Sequence, residues 1–150
     1  MNKLKVYCAS VVYRKILDKF PQYLIPLGMG KGKFPKHWLN ENDGDNIAHL
    51  NRFYGEHSGI YWVWKNQIKG LKKDDWVGFC HYRKFWLNEK FKEKQKFSSN
   101  NLNANLLKDN NNIFLNNDAI LVQPIIYSNK NLFQDFRDTH KSNILEKSLD

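Results

Sequence analysis

The apolar positions of this chain fall into short, unbroken runs separated by polar stretches. Leu4–Tyr13 is rich in Val and Tyr and almost free of charge until Arg14 and Lys15. A run without polar alternation predicts an interior strand covered on both faces. Leu24–Leu27 predicts a second short strand, Trp76–Cys80 (WVGFC) a third, and Asp118–Gln123 (DAILVQ) a fourth, stopped by Pro124. Ile16–Tyr23 reads as a short helix or a loop ended by Pro21. The alternating glycines of Gly28–Lys33 predict a flexible loop, and Phe34–Asn42 looks irregular.

From Phe53 to Leu71 the spacing changes. His57, Ile60, Tyr61, Trp64, Ile68 and Leu71 recur at three- and four-residue steps, which predicts one helix with that face on the core. Trp64 then belongs to the core, while Trp62 and Lys65 point elsewhere. Residues 88–112 are rich in Lys and Asn and predict an excursive loop with a helix near Leu102–Leu107. Asn131–Leu149 predicts a last helix. Strand–helix–strand order over 150 residues predicts a single open α/β sheet.

Composition narrows the classes. With 41% hydrophobic and 15% aromatic residues the chain can bury a core, which excludes wholesale disorder. A net charge of +9 suits a phosphate-bearing partner: a nucleotide, a nucleic acid or an anionic membrane face. Cys8 and Cys80 both lie in apolar runs and predict buried, reduced thiols. The apolar N-terminal run stops at Arg14–Lys15 without a small-residue cleavage site, and no stretch approaches a membrane span. The expectation is a cytoplasmic protein able to dock on a membrane surface through its lysines.

Ligands of open α/β sheets bind beyond the carboxyl ends of strands. His81, Tyr82 and Arg83 follow such a strand directly. Arg83 suits a bidentate phosphate contact, and His81 a second donor or a general base. Asp43-Gly44-Asp45-Asn46 reads either as turn chemistry or as a D-x-D pair for Mg²⁺ or Mn²⁺, with Asn46 available to a ribose or sugar. Glu56 near the helix start is either a first-turn carboxylate or a group that holds a sugar hydroxyl or acts as base. Trp62 offers a stacking face, and Lys65 a charge for phosphate. The Gly28–Lys33 loop has neither Walker nor dinucleotide spacing.

The segments D-G-D-N-I, E-H-S-G-I-Y-W-V-W-K-N and V-G-F-C-H-Y-R-K-F, in that order after an initial K-V-Y strand, resemble a bacterial family of unknown-function domains associated with capsular and exopolysaccharide glycosyltransferases. The resemblance spans roughly residues 4–125. It implies a Rossmann-like open sheet of the A-type nucleotide-diphospho-sugar transferase kind, with the C-terminal part of the family domain expected beyond Asp150. By position it marks Asp43, Gly44, Asp45, Asn46, Glu56, Tyr61, Trp62, Trp64, Lys65, Asn66, His81, Tyr82 and Arg83. The family's second Arg is Lys84 here, which keeps the charge and loses the planar fork.

The resulting expectation is a glycosyltransferase acting in surface-polysaccharide synthesis. Glu56, His81 and Asp45 would be catalytic. Asp43, Asn46, Lys65, Tyr82 and Arg83 would hold the donor, with Trp62 stacked on a ring. Any metal would sit on Asp43 and Asp45. The partners would be a nucleotide sugar and a polysaccharide or lipid-linked glycan acceptor, at the inner face of the membrane. The rival readings are a basic nucleic-acid-binding module and an inactive scaffold of the polysaccharide machinery.

Overall fold

A computed structural model describes residues 3–88, 99–108, 112–122, 131, 134–135 and 138. Four strands, β1 (Leu4–Ser10), β2 (Leu24–Gly28), β3 (Leu39–Asn40) and β4 (Trp76–His81), pair into one open sheet in the order β3-β2-β1-β4. Every pairing is parallel. This is an α/β fold of the Rossmann-like kind. The chain steps outward from β1 to β2 to β3, then returns to lay β4 on the far side of β1. That reversal opens a crevice beyond the carboxyl ends of β1 and β4, the usual ligand position of such sheets.

The connection from β3 to β4 carries the helices α1 (Asn51–Tyr54) and α2 (Glu56–Asn66). A third helix, α3 (Ser99–Asn105), follows β4. Side chains alternate across the sheet and divide the core into two layers. Tyr7, Leu27 and Met29 pack with Trp62 and Val63 of α2. On the opposite face Cys8, Leu17, Leu24, Trp38 and Leu106 form a second cluster. Cys8 and Cys80 stand opposite each other in the β1–β4 register as free thiols. The contact with Cys8, together with burial, holds the Cys80 thiol far above its ordinary pKa, so the pair packs as small apolar groups.

The long helix expected over Phe53–Leu71 is divided. Gly55 adopts φ +53° and ψ −127°, which side-chain-bearing residues avoid, so α1 ends there and Glu56 opens a new helix. The buried face is also not the expected one. Ser58, Gly59, Trp62 and Val63 are buried, whereas Ile60, Trp64 and Ile68 are exposed. Both faces of α2 carry apolar residues, and the sheet takes the one with Gly59, which lets the helix approach Met29 and Leu27 closely.

Chain contacts define a second unit, Asn117–Asp150. The expected strand Asp118–Gln123 does not form over residues 118–122, where Leu121 and Val122 are exposed; Gln123 lies outside the described residues. At the start of the expected last helix, Gln134 N donates to Asn131 Oδ1 at 2.8 Å and Asn131 N to Gln134 Oε1 at 3.1 Å. Most of Asn131–Leu149 lies outside the described residues.

Candidate functional site

The crevice at the β1–β4 switch holds a cleft of about 110 Å³ lined by Ala9, Ser10, Val11, Met29, Asn51, Gly55, Glu56 and His81. His81 ends β4 and Glu56 begins α2, so strand and helix deliver one titratable group each. His81 Nε2 lies 3.5 Å from Glu56 Oε1. The backbone N–H of Arg83 donates to His81 Nδ1 at 3.3 Å, which assigns the imidazole proton to Nε2, facing Glu56. Burial pushes the imidazole below its ordinary pKa. Glu56 pulls it up, and Arg83 and Lys84 push it down again. His81 is therefore neutral at pH 7. Its side chain is 13% exposed against 61% for Glu56, so a nearly dry donor faces a solvated carboxylate.

A tight turn fixes the residues after β4. His81 N donates to Lys84 O at 3.1 Å and Lys84 N to His81 O at 2.8 Å. Tyr82 N donates to Ala9 O at 3.0 Å, which extends the ladder one residue past the strand. The Tyr82 ring lies against His81, centroids 4.2 Å apart. The guanidiniums of Arg83 and Arg14 lie 5.1 and 5.6 Å from its centroid. His81, Glu56, Tyr82 and Arg83 thus come together at one end of the sheet.

Beneath the cleft sits a group that sequence reasoning missed. Glu41, just past β3, is fully buried. Its Oε1 accepts from Gly30 N at 2.5 Å and from Asn51 Nδ2 at 3.0 Å, and its Oε2 accepts from Ser58 Oγ at 2.7 Å. Three donors compensate the buried carboxylate and tie the ends of β2 and β3 to both helices. Asn51, which lines the cleft, takes its position from this network. The Gly28–Lys33 loop serves the same framework: Gly30 gives its N–H to Glu41, and the Phe34 ring lies against Gly28 and Gly32. The only sequence hint of Glu41 was its neighbourhood of turn residues, which reads as solvent-facing.

The remaining expected residues lie elsewhere. Trp62 is buried in the core, and its Nε1 donates to Asp43 O at 2.5 Å, so it offers no stacking face. Lys65 sits 4.1 Å over the exposed Trp64 ring, in the last turn of α2. Asp43, Asp45 and Asn46 form a loop fastened to that same end. Asn66 accepts from Asp45 N at 3.2 Å and donates to Asp45 O at 2.8 Å. Tyr61 donates to Asp45 Oδ1 at 3.2 Å. Asn46 Nδ2 donates to the carbonyls of Asn42 and Gly44, and its Oδ1 accepts from Ala48 N. Gly44 has φ +61°, and a Cβ there would meet the Asn66 amide. Glu56 and Asn66 are the two ends of an 11-residue helix, roughly 15 Å apart. Asp45, Asn46 and Lys65 therefore do not reach the cleft beside Glu56 and His81.

The Asp43–Asp45 pair lies on a loop away from the cleft. Among the described residues no group of three His, Cys, Asp or Glu side chains gathers around a common point. Asp45 is engaged by Tyr61, and the loop closes on the wrong end of α2. Among the described residues no helix is long and apolar enough to cross a membrane.

The fold and site define a Rossmann-like α/β domain with a cleft at its topological switch that carries His81 and Glu56. The sequence profile of the family described as Domain of unknown function (DUF4422) matches residues 6–150, and the chain belongs to that family. Among solved structures, the apo form of the WbbM bifunctional glycosyltransferase is similar at 35% sequence identity, with a TM-score of 0.44. That match covers 65% of this chain and 16% of the other, so the chain spans a small part of that protein's length. No curated protein matches.

Proposed function

We propose that residues 1–150 form the donor-binding domain of a glycosyltransferase, acting on a nucleotide sugar at the cleft between β1 and β4. The observation that carries this reading is the pairing of His81 with Glu56 at the switch point, with the Arg83 backbone amide on His81 and its guanidinium on the neighbouring Tyr82 ring. The HYR and YWVWKN segments resemble those of polysaccharide glycosyltransferases, and surface-polysaccharide synthesis at the inner membrane face is the setting that resemblance suggests.

Each group's remaining hydrogen-bonding capacity sets its chemistry. The His81 Nδ1 lone pair is occupied by the Arg83 amide, so the imidazole serves as an Nε2–H donor. Glu56 remains as the acceptor, either for a sugar hydroxyl or for the proton of the attacking hydroxyl. Sugar transfer breaks the bond to the nucleoside diphosphate, whose developing charge falls to Arg83 without a metal on Asp43 and Asp45. A nucleic-acid module is disfavoured because Trp38 and Trp62 are core residues and build no stacking platform.

The test is a thermal-shift panel of UDP, GDP, CDP and dTDP, with and without Mn²⁺. One nucleotide should raise the midpoint without Mn²⁺, and Arg83→Ala should abolish the rise. No shift with any nucleotide, alongside tight and salt-sensitive oligonucleotide binding, overturns the reading.

A further inference from the structure

Arg14 lies just past β1 and Arg83 just past β4, yet both guanidiniums rest on the same Tyr82 ring, 5.6 and 5.1 Å from its centroid. Strand register is the reason. The ladder bond from Tyr82 N to Ala9 O holds the ring between the two strand ends. Two like charges on one ring repel, and a folded chain ordinarily relieves this with a carboxylate. Here neither Asp18 nor Glu56 pairs with them. Asp18, four residues after Arg14, accepts from Trp38 Nε1 at 2.6 Å and from Tyr13 Oη at 2.7 Å, and lies 2.9 Å from His37 Nε2. Hydrogen bonds from Trp38, His37 and Tyr13 hold its carboxyl at about 2. Glu56 faces His81. Among the described residues neither Arg14 nor Arg83 has an ion-pair partner.

The loop that carries Arg14 is also held in place. Ser10 Oγ donates to Val12 O at 2.6 Å, Leu17 N donates to Arg14 O at 2.9 Å, and Tyr13 packs on Trp38 at 5.4 Å. Ordering this loop costs conformational entropy, and the bound state inherits the benefit. The result is a pair of guanidinium forks held on one ring just past the ends of β1 and β4, without an ion-pair partner among the described residues.

We infer that Arg14 and Arg83 form a two-armed clamp for a diphosphate group. Each fork takes one phosphoryl through paired N–H donors, and Tyr82 spaces the forks. A monophosphate engages one arm and leaves the other repulsion unrelieved. The inference rests on the donor reading above for the position of the ligand, and adds Arg14, which comes from a different strand end. Two sources share this chemistry: the nucleoside diphosphate of a sugar donor and the prenyl diphosphate of a lipid-linked acceptor.

The test is calorimetric titration of inorganic pyrophosphate into the wild-type chain, Arg14→Gln, Arg83→Gln and the double variant, with melting curves to show that each is folded. Both arginines are exposed, so folding should be unaffected. Each single variant should bind pyrophosphate about tenfold more weakly or worse, the double variant weaker still, and inorganic phosphate should bind the wild type less tightly than pyrophosphate does. Wild-type affinity in Arg14→Gln overturns the clamp. Parallel titrations with UDP, GDP, CDP, dTDP and farnesyl diphosphate separate the sources. If farnesyl diphosphate alone binds and needs both arginines, the clamp stands and the donor reading falls. If a nucleoside diphosphate binds through Arg83 but not Arg14, the donor reading stands and the clamp falls.

Discussion

His81 Nε2 lies 3.5 Å from Glu56 Oε1, a contact between the last residue of a half-buried edge strand and the first residue of a helix. Neither residue's own element accounts for the pairing. It exists because Gly55 breaks the chain direction immediately before Glu56, and because β4 returns beside β1. The cleft chemistry is therefore a product of topology as much as of residue type.

This contact makes a pH prediction. Burial lowers the His81 pKa from 6.5, so the unfolded chain binds more protons than the folded one below that value. The stability His81 contributes is present above about pH 6.5 and is lost as pH falls below it. His81→Gln should flatten this part of the stability–pH curve. Glu56→Gln removes the charge that pulls the pKa up, so an NMR titration should find the His81 pKa lowered further. An unchanged or raised value would show that the two side chains do not interact in solution.

Glu41 should be the most costly polar residue to lose near the site. Glu41→Ala leaves Gly30 N, Asn51 Nδ2 and Ser58 Oγ without their acceptor, at about 3 kcal/mol or more. Ser58→Ala removes one hydroxyl from the network and should cost about 1 kcal/mol, a variant mild enough to fold. Urea unfolding of the two variants checks the order. Equal, small losses would mean that the carboxylate is not the centre of this network.

The two tryptophans of α2 should behave oppositely. Trp62→Ala opens a cavity in the layer shared with Tyr7, Leu27 and Met29, and should cost about 3–5 kcal/mol. Trp64 is 57% exposed, and Trp64→Ala should stay within about 1 kcal/mol. Denaturation midpoints decide between this helix phase and its reverse.

The phase of α2 also shows where sequence reading stops. β1 was legible because it is covered from either side, and β4 because its short apolar run pairs along β1, so neither run has a competing interpretation. The cluster His81-Tyr82-Arg83 was legible for the same reason, as polar groups placed where such a run ends. α2 carries apolar residues on two faces, and periodicity cannot choose between them. Gly59 decides, through a close approach to Met29 and Leu27 that only the sheet makes visible. Gly44 hid a second constraint: its loop closes on Asn66, which ties the Asp43–Asn46 segment to the far end of α2. Glu41 and Arg14 were invisible because their meaning lies in partners distant in sequence, Ser58 for one and Tyr82 for the other.

A ligand at the switch between β1 and β4 is visible to amide mapping by ¹H–¹⁵N NMR. On adding the nucleoside diphosphate that stabilises the chain, the signals of Ser10, Val11, Asn51, Glu56, His81 and Arg83 should shift together, while those of Asp43, Asp45 and Lys65 stay in place. Shifts centred on Asp43–Asn46 and the last turn of α2, with His81 and Arg83 unmoved, would contradict the account.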